Sequence, residues 1–495
     1  MAHRLWQHFV HGGLLAWQCH SILTQATPQT QPQRNLIFMI SDGFGQASEG
    51  LARAYMQHQT ASEQLAWTSL LDDMLVGTTR TRSANTWVTD SAAGATAFSC
   101  ARKSLNGAIG VSAEGMPCAT VLEAAKLAGY ATGLVTTARI THATPAAFAA
   151  HARDRDMEDL IATQMLRLMP GGANAANHSV DVMLGGGRCH FLPRGAAESC
   201  RGDSEDVWRQ AEARGVHTLT TRKQLDALVS SDQPVLGLFG QSHLAYAIDG
   251  DTSQPPLSEM ADRALNLLSN RTSRGFFLMI EGARIDMAAH DNDPATHLHE
   301  ILEYWRTVRV VRDFVQRTEN TLLISTSDHE TGGLTLGRDP EYLWHPHVLR
   351  PVVRSAERIC QELMQTDRDA VAHNVRHVVM PRYLGIDNAT DGEVASIMQA
   401  EGAKKCRRAV GEVVSARARL GWTTGGHTGA DVGLYAFGKG SEKLHGCVDN
   451  TQVGRFLAEY LGVEASLDEV TRSLAHVVTE QPGFERSVDR HAHYH

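Results

Sequence analysis

The chain has 495 residues, 42% of them hydrophobic, and a formal net charge of −9 from 46 basic and 55 acidic side chains. That is ample apolar material for a large core, and the negative balance excludes nucleic acid or an anionic membrane surface as the main partner. No run reaches the roughly 20 apolar residues that a membrane-spanning helix needs. Residues 1–34 read as a leader and linker. Arg4 precedes a broken apolar patch at Leu14-Leu15-Ala16-Trp17, which suits a weak secretory signal, a vestigial anchor or a plain disordered leader, so membrane association stays open. From about residue 35 to 190, strand and helix alternate. Asn35–Ile40 predicts a buried strand, Val121–Ala128 a helix ended by Gly129, Gly133–Thr137 a strand, and Val182–Leu184 another stopped by three glycines. Residues 190 to 235 are charged and irregular. Glu259–Leu268 predicts a helix, Phe276–Ile280 a strand, Ala295–Arg317 a long helix and Thr321–Thr326 a strand. The rhythm breaks over 340–420, read as an insertion. It resumes at Gly421, with a strand over Asp431–Phe437 and a closing helix over Val453–Leu461. Residues 464–495 read as a partly disordered tail. The alternation predicts an α/β fold, with a mostly parallel sheet and helices on both faces.

The apolar runs share a feature. Each leads into a residue that can hold a metal: Asp42 after the first, His142 and Thr144 after the second, Glu281 after the third, and Asp328 with His329 after the fourth. Ligand sites in open α/β sheets form beyond the carboxyl ends of the strands, so these residues predict one metal-dependent site. Asp286 and His290 are four apart on a helical face and can share an ion. His427, in a glycine loop, is a possible third ligand. Ser91 follows Asp90 at a predicted helix start, where free N–H groups favour an anion. Taken alone, Asp90-Ser91 is also an ordinary helix cap, and Arg155 in Arg153-Asp154-Arg155 is also an ordinary solvated run. It is their joint placement that points to chemistry.

None of the eight cysteines forms a C-x-x-C pair, which argues against a zinc-thiolate site, while Cys189 and Cys200 flank a short loop and can pair. Three glycosylation sequons, at Asn177, Asn270 and Asn388, lean toward a secretory route.

The segments Asp42-Gly43, Thr89-Asp90-Ser91-Ala92, Glu281 to His290, Ser327-Asp328-His329 and Gly426-His427-Thr428 resemble, in order, the motifs of alkaline phosphatases. The stretches from Ser91 to Gly110 and from Asp328 to Gly333 look closest to the fungal vacuolar branch. The resemblance covers about 35–463, which it implies is a catalytic domain with a crown-like insertion. It implies a homodimeric glycoprotein with two zinc ions and one magnesium per subunit, hydrolysing phosphate monoesters through a phosphoserine on Ser91, in the vacuolar lumen or outside the cell. In that scheme Asp286, His290 and His427 hold one zinc, and Asp42, Asp328 and His329 the other. Asp42, Thr144 and Glu281 hold magnesium, His142 and Asp90 stand in the outer shell, and Arg155 clamps the phosphate. Two departures stand out. Met287 replaces a His or Lys of relatives, and Gly240 stands where animal relatives carry an acidic calcium ligand, so no such calcium site is expected. Three competing readings are weaker: a sulfatase, a diesterase, and a non-enzymatic metal-bound phosphate binder, the last prompted by Met287 and opposed by the presence of Ser91 and every nominal zinc ligand. The Ser91-Ala92-Ala93 setting lacks the sulfatase pattern, and Thr144 with Glu281 argues for a third metal that a diesterase usually lacks.

Overall fold

The fold is described from a computed structural model over residues 33–59, 67–166 and 178–474. In the strand Arg34–Ile40, Leu36 through Ile40 are fully buried. Leu36, Phe38 and Ile40 join one hydrophobic cluster, whereas Ile37 and Met39 join another. Gly275–Glu281 and Thr321–Thr326 divide the same way. Successive side chains point to opposite faces, so an unbroken apolar run is what a strand covered on both faces requires.

These strands lie centrally in a ten-stranded sheet. From Arg34–Ile40 one side continues through Gly275–Glu281, Ala131–Arg139, Val182–Gly186, Val235–Leu238 and His217–Leu219, all parallel. The other side continues through Thr321–Thr326, Val432–Gly438, Leu75–Arg80 and Gly446–Asp449. Val432–Gly438 runs antiparallel to both its neighbours. Its beginning therefore lies at the edge where the parallel strands end, and His427 precedes it there.

The sheet is wider than the sequence suggests. Leu75–Arg80, His217–Leu219 and Gly446–Asp449 are short and partly exposed, with no continuous apolar signal. The region 190–235, read as irregular, supplies the edge strand His217–Leu219 and leads into its neighbour Val235–Leu238. The 340–420 segment is helical: Ala356–Met364, Arg368–Asn374, Asp391–Met398 and Gly402–Ala418, with Cys360 bonded to Cys406 between the first and last. Ile359, Val410 and Val413 belong to the same cluster as Ile37, so this segment completes one face of the core. Helical structure continues into the C-terminal tail. The helix Glu464–Ser473 lays Val470 against Ala119, and Thr471 Oγ1 accepts from the Ala119 N–H at 3.2 Å. Cys100–Cys118 and Cys189–Cys200 are also bonded, and Cys447 is an exposed free thiol. The leader and Asn177 lie outside the described residues; Asn270 and Asn388 are exposed.

Candidate metal and phosphoryl-transfer site

Ser91 is the first residue of the helix Ser91–Cys100, and it is fully buried. Asp90 caps that helix by accepting from the Ala93 N–H at 3.0 Å. Its other oxygen accepts from the Gly107 N–H at 2.8 Å and from Arg155 at 3.2 Å. One carboxylate thus fixes the helix start and anchors the guanidinium beside it. Arg155 also meets His142 Nε2 at 3.2 Å. The helix is built of small residues because its neighbours are close: a Cβ on Gly94 would stand 3.0 Å from Asp328 Cβ.

The strand ends converge opposite Ser91. Asp42 leaves Arg34–Ile40 through Gly43, whose φ is +76° and where a Cβ would stand only 2.6 Å from Asp286 Cα, so a side chain has no space. Glu281 ends its strand, paired in register with Thr136, whose hydroxyl donates to it at 2.5 Å. Asp328 and His329 follow Thr321–Thr326. The antiparallel ribbon of Glu330–Thr331 with His427–Thr428 brings His427 alongside them, with the rings of His329 and His427 stacked at 3.5 Å.

Three groups result, each with ligand atoms within 4.8 Å of one another: Asp286, His290 and His427; Asp42, Asp328 and His329; and Asp42, His142 and Glu281. Thr144 reaches Asp42 at 3.5 Å, and Ser91 Oγ lies 3.1 Å from His329 Nε2. Every residue of the sequence-derived set thus lies in one buried place. The sequence reading missed the supporting hydroxyls. Thr136 orients Glu281, and Thr331 donates to Asp286 and meets His329 Nδ1 at 3.2 Å. A polar residue inside a buried apolar strand was the available signal for Thr136. Met287 is buried among Ala138, Tyr246, Ala283 and Ala288. It lines a cavity of about 360 Å³ together with His243, Arg284 and Arg407.

The electrostatics call for cations. Burial, then the charges of Asp328, Asp286 and Glu281, hold the Asp42 carboxyl well above its usual range. Burial also pushes Asp328 and Glu281 up to about 7 each. Asp286 goes the other way. Burial would raise it, but His290 and His427 beside it hold it well below the ordinary value. Asp42 Oδ1, Asp328 Oδ2 and Glu281 Oε1 are buried and accept no hydrogen bond, and bare buried acceptors are costly. His290 Nδ1 and His427 Nδ1 each face a carbonyl, of Gly425 and Thr89, at 2.8 Å. The two Nε2 atoms stand 3.1 Å apart, and both face the Asp286 carboxylate, His290 Nε2 at 3.2 Å and His427 Nε2 at 3.6 Å. Two imidazole nitrogens and a carboxylate converging on one point form a donor set that fits a metal ion. The His/Asp groups suit zinc. The all-oxygen group of Asp42, Thr144 and Glu281 suits magnesium.

Comparisons with known proteins agree with this picture. The alkaline phosphatase family profile matches residues 33–463. The chain is 43% identical over 451 residues to an alkaline phosphatase of Schizosaccharomyces pombe, covering 89% of this chain and 83% of that one. It is 40% identical to the repressible alkaline phosphatase of Saccharomyces cerevisiae at the same coverage. Among solved structures, Thermus thermophilus alkaline phosphatase superposes with a TM-score of 0.76 at 30% identity, over 90% of this chain and 96% of that chain. A variant of the alkaline phosphatase from the Antarctic bacterium TAB5, at a TM-score of 0.61 and 26% identity over 87% of this chain and 99% of that chain, has magnesium bound in its M3 site.

Proposed function

The chain belongs to the alkaline phosphatase family, and from that premise we propose that it hydrolyses phosphate monoesters through a phosphoserine on Ser91, with two zinc ions and one magnesium per subunit. The observation that carries the reading is the set of ligand atoms gathered around Ser91: three buried carboxylate oxygens that accept no hydrogen bond, and two imidazole Nε2 atoms converging on Asp286. Asp286, His290 and His427 would hold one zinc, Asp42, Asp328 and His329 the other, and Asp42, Thr144 and Glu281 the magnesium, with His142 behind. Bound there, the metals supply Lewis acidity, which lowers the serine hydroxyl's pKa and neutralises charge on the leaving oxygen.

The chain's own residues do the positioning. Ser91 Oγ forms the new bond to phosphorus as the ester oxygen leaves. Its place at the helix start sets N–H dipoles toward the transferring group. Arg155, held by Asp90, offers a planar fork for two phosphoryl oxygens. Water then cleaves the phosphoserine, releasing inorganic phosphate and restoring the hydroxyl. Burial of nearly every participant strengthens each electrostatic contact.

The reading extends to a homodimer in an oxidising compartment, the vacuolar lumen or the cell exterior. The compartment is supported by the three bonded cysteine pairs and the exposed sequons at Asn270 and Asn388, and the homodimer by the family resemblance alone. The test is hydrolysis of an aryl phosphate against pH, with zinc and magnesium, beside Ser91→Ala. Alkaline-favoured turnover that drops by about 10³-fold or more in the variant is expected. Equal rates in both proteins would overturn the serine mechanism.

A further inference from the structure

Trp87 is 80% exposed, four residues before Ser91. An exposed aromatic on its own needs no explanation. This one stands on a loop whose backbone is held firmly. The Asn106 side chain donates to Val88 O at 3.1 Å and accepts from the Asp90 N–H at 3.3 Å. His427 bonds Thr89 O at 2.8 Å. The loop therefore runs between the nucleophile and the ligand group of Asp286, His290 and His427. Arg82 places its guanidinium over one side of the indole, 5.7 Å from the ring centroid, a distance at which a cation polarises an aromatic face. An exposed indole with a guanidinium beside it, on a loop tethered four residues before the nucleophile, has the form of a stacking platform.

We propose that Trp87, backed by Arg82, binds planar aromatic leaving groups and makes the enzyme prefer aromatic over aliphatic phosphate monoesters. The proposal rests on the phosphomonoesterase reading above and names the alcohol half that the metals do not recognise. The phosphoryl group is read by buried polar groups, which leaves selectivity to the rim. Stacking tolerates any flat ring, so nucleosides and simple aryl alcohols share the chemistry.

The experiment measures kcat and KM for adenosine 5′-monophosphate, naphthyl phosphate and glycerol 2-phosphate in wild type, Trp87→Ala and Trp87→Phe. The kcat/KM ratio of each aromatic substrate to glycerol 2-phosphate should fall by about tenfold in Trp87→Ala. The loss should lie in KM, and Trp87→Phe should recover most of it. A fall for the nucleotide alone would restrict the class to nucleosides, and a fall for naphthyl phosphate alone to simple aryl alcohols. An unchanged ratio would overturn the platform while leaving the phosphatase reading intact. So would a change of assembly size in Trp87→Ala by size-exclusion chromatography, which would assign the indole to subunit contact. Wild type that hydrolyses none of the three would overturn both.

Discussion

The strand-end site and the helical segment 340–420 are opposite kinds of structure that meet at one helix. The site is assembled from strand termini far apart in sequence, and nearly every member is buried. The segment is local and largely helical, and much of its surface is exposed. Yet it grips the helix Arg284–His290 that carries Asp286 and His290. Glu357 pairs with Arg284 at 2.9 Å, Arg407 with Asp291 at 2.8 Å, and Asp293 accepts from the Ala356 N–H at 2.8 Å. The contrast teaches that the candidate ligands come from the strand ends, while the helix carrying two of them is held from outside by contacts with the insertion.

Removing the metals breaks the comparison most severely. Chelation should abolish turnover and expose the strain of the carboxylates. In the metal-free fold Asp328 rises from 3.8 and Glu281 from 4.5, both to about 7. Their folded values exceed their unfolded ones, so their contribution is fully present below about pH 4 and lost as pH rises through 7. The gap in melting temperature between metal-loaded and stripped protein should therefore widen from pH 4 to 7. A constant gap would contradict the assignment.

Next is the staple within the insertion. Cys360 and Cys406 close a loop with a sequence separation of 46. Replacing both by serine should cost about 3–4 kcal/mol in denaturant unfolding. If the insertion stiffens the ligand helix, that variant should also lose zinc to a chelator faster, a readout the fold alone does not demand. Arg407→Met acts at the junction itself. It strands Asp291, which burial has already pushed up to about 6, so the expected loss is about 2–3 kcal/mol at pH 8 and smaller at pH 5, where the carboxyl is neutral. Equal losses at both values would show that packing, not the ion pair, matters. The smallest effect belongs to Arg376→Ala. Its partner Asp391 is 95% exposed, so stability should move by less than about 0.5 kcal/mol and zinc retention not at all.

The same contrast explains what the sequence disclosed. Buried parallel strands must be apolar throughout, so Asn35–Ile40, Phe276–Ile280 and Thr321–Thr326 stood out, and the residues after them marked the site. Edge strands such as His217–Leu219 carry no such requirement and were invisible. The insertion's role was illegible for a different reason: Arg407 and Glu357 read as surface charges until the fold sets them against Asp291 and Arg284. Thr136 and Thr331 were hidden because a hydroxyl's partner is a matter of register and ribbon pairing rather than local pattern.

The central claim is that this buried ligand set exists to make Ser91 a nucleophile. The most direct measurement is an acid quench of metal-loaded enzyme during turnover, followed by peptide mass analysis. One phosphoryl group is expected on the peptide containing Ser91, absent in Ser91→Ala. Steady turnover with that peptide unmodified, or with the phosphoryl group elsewhere, would contradict the claim.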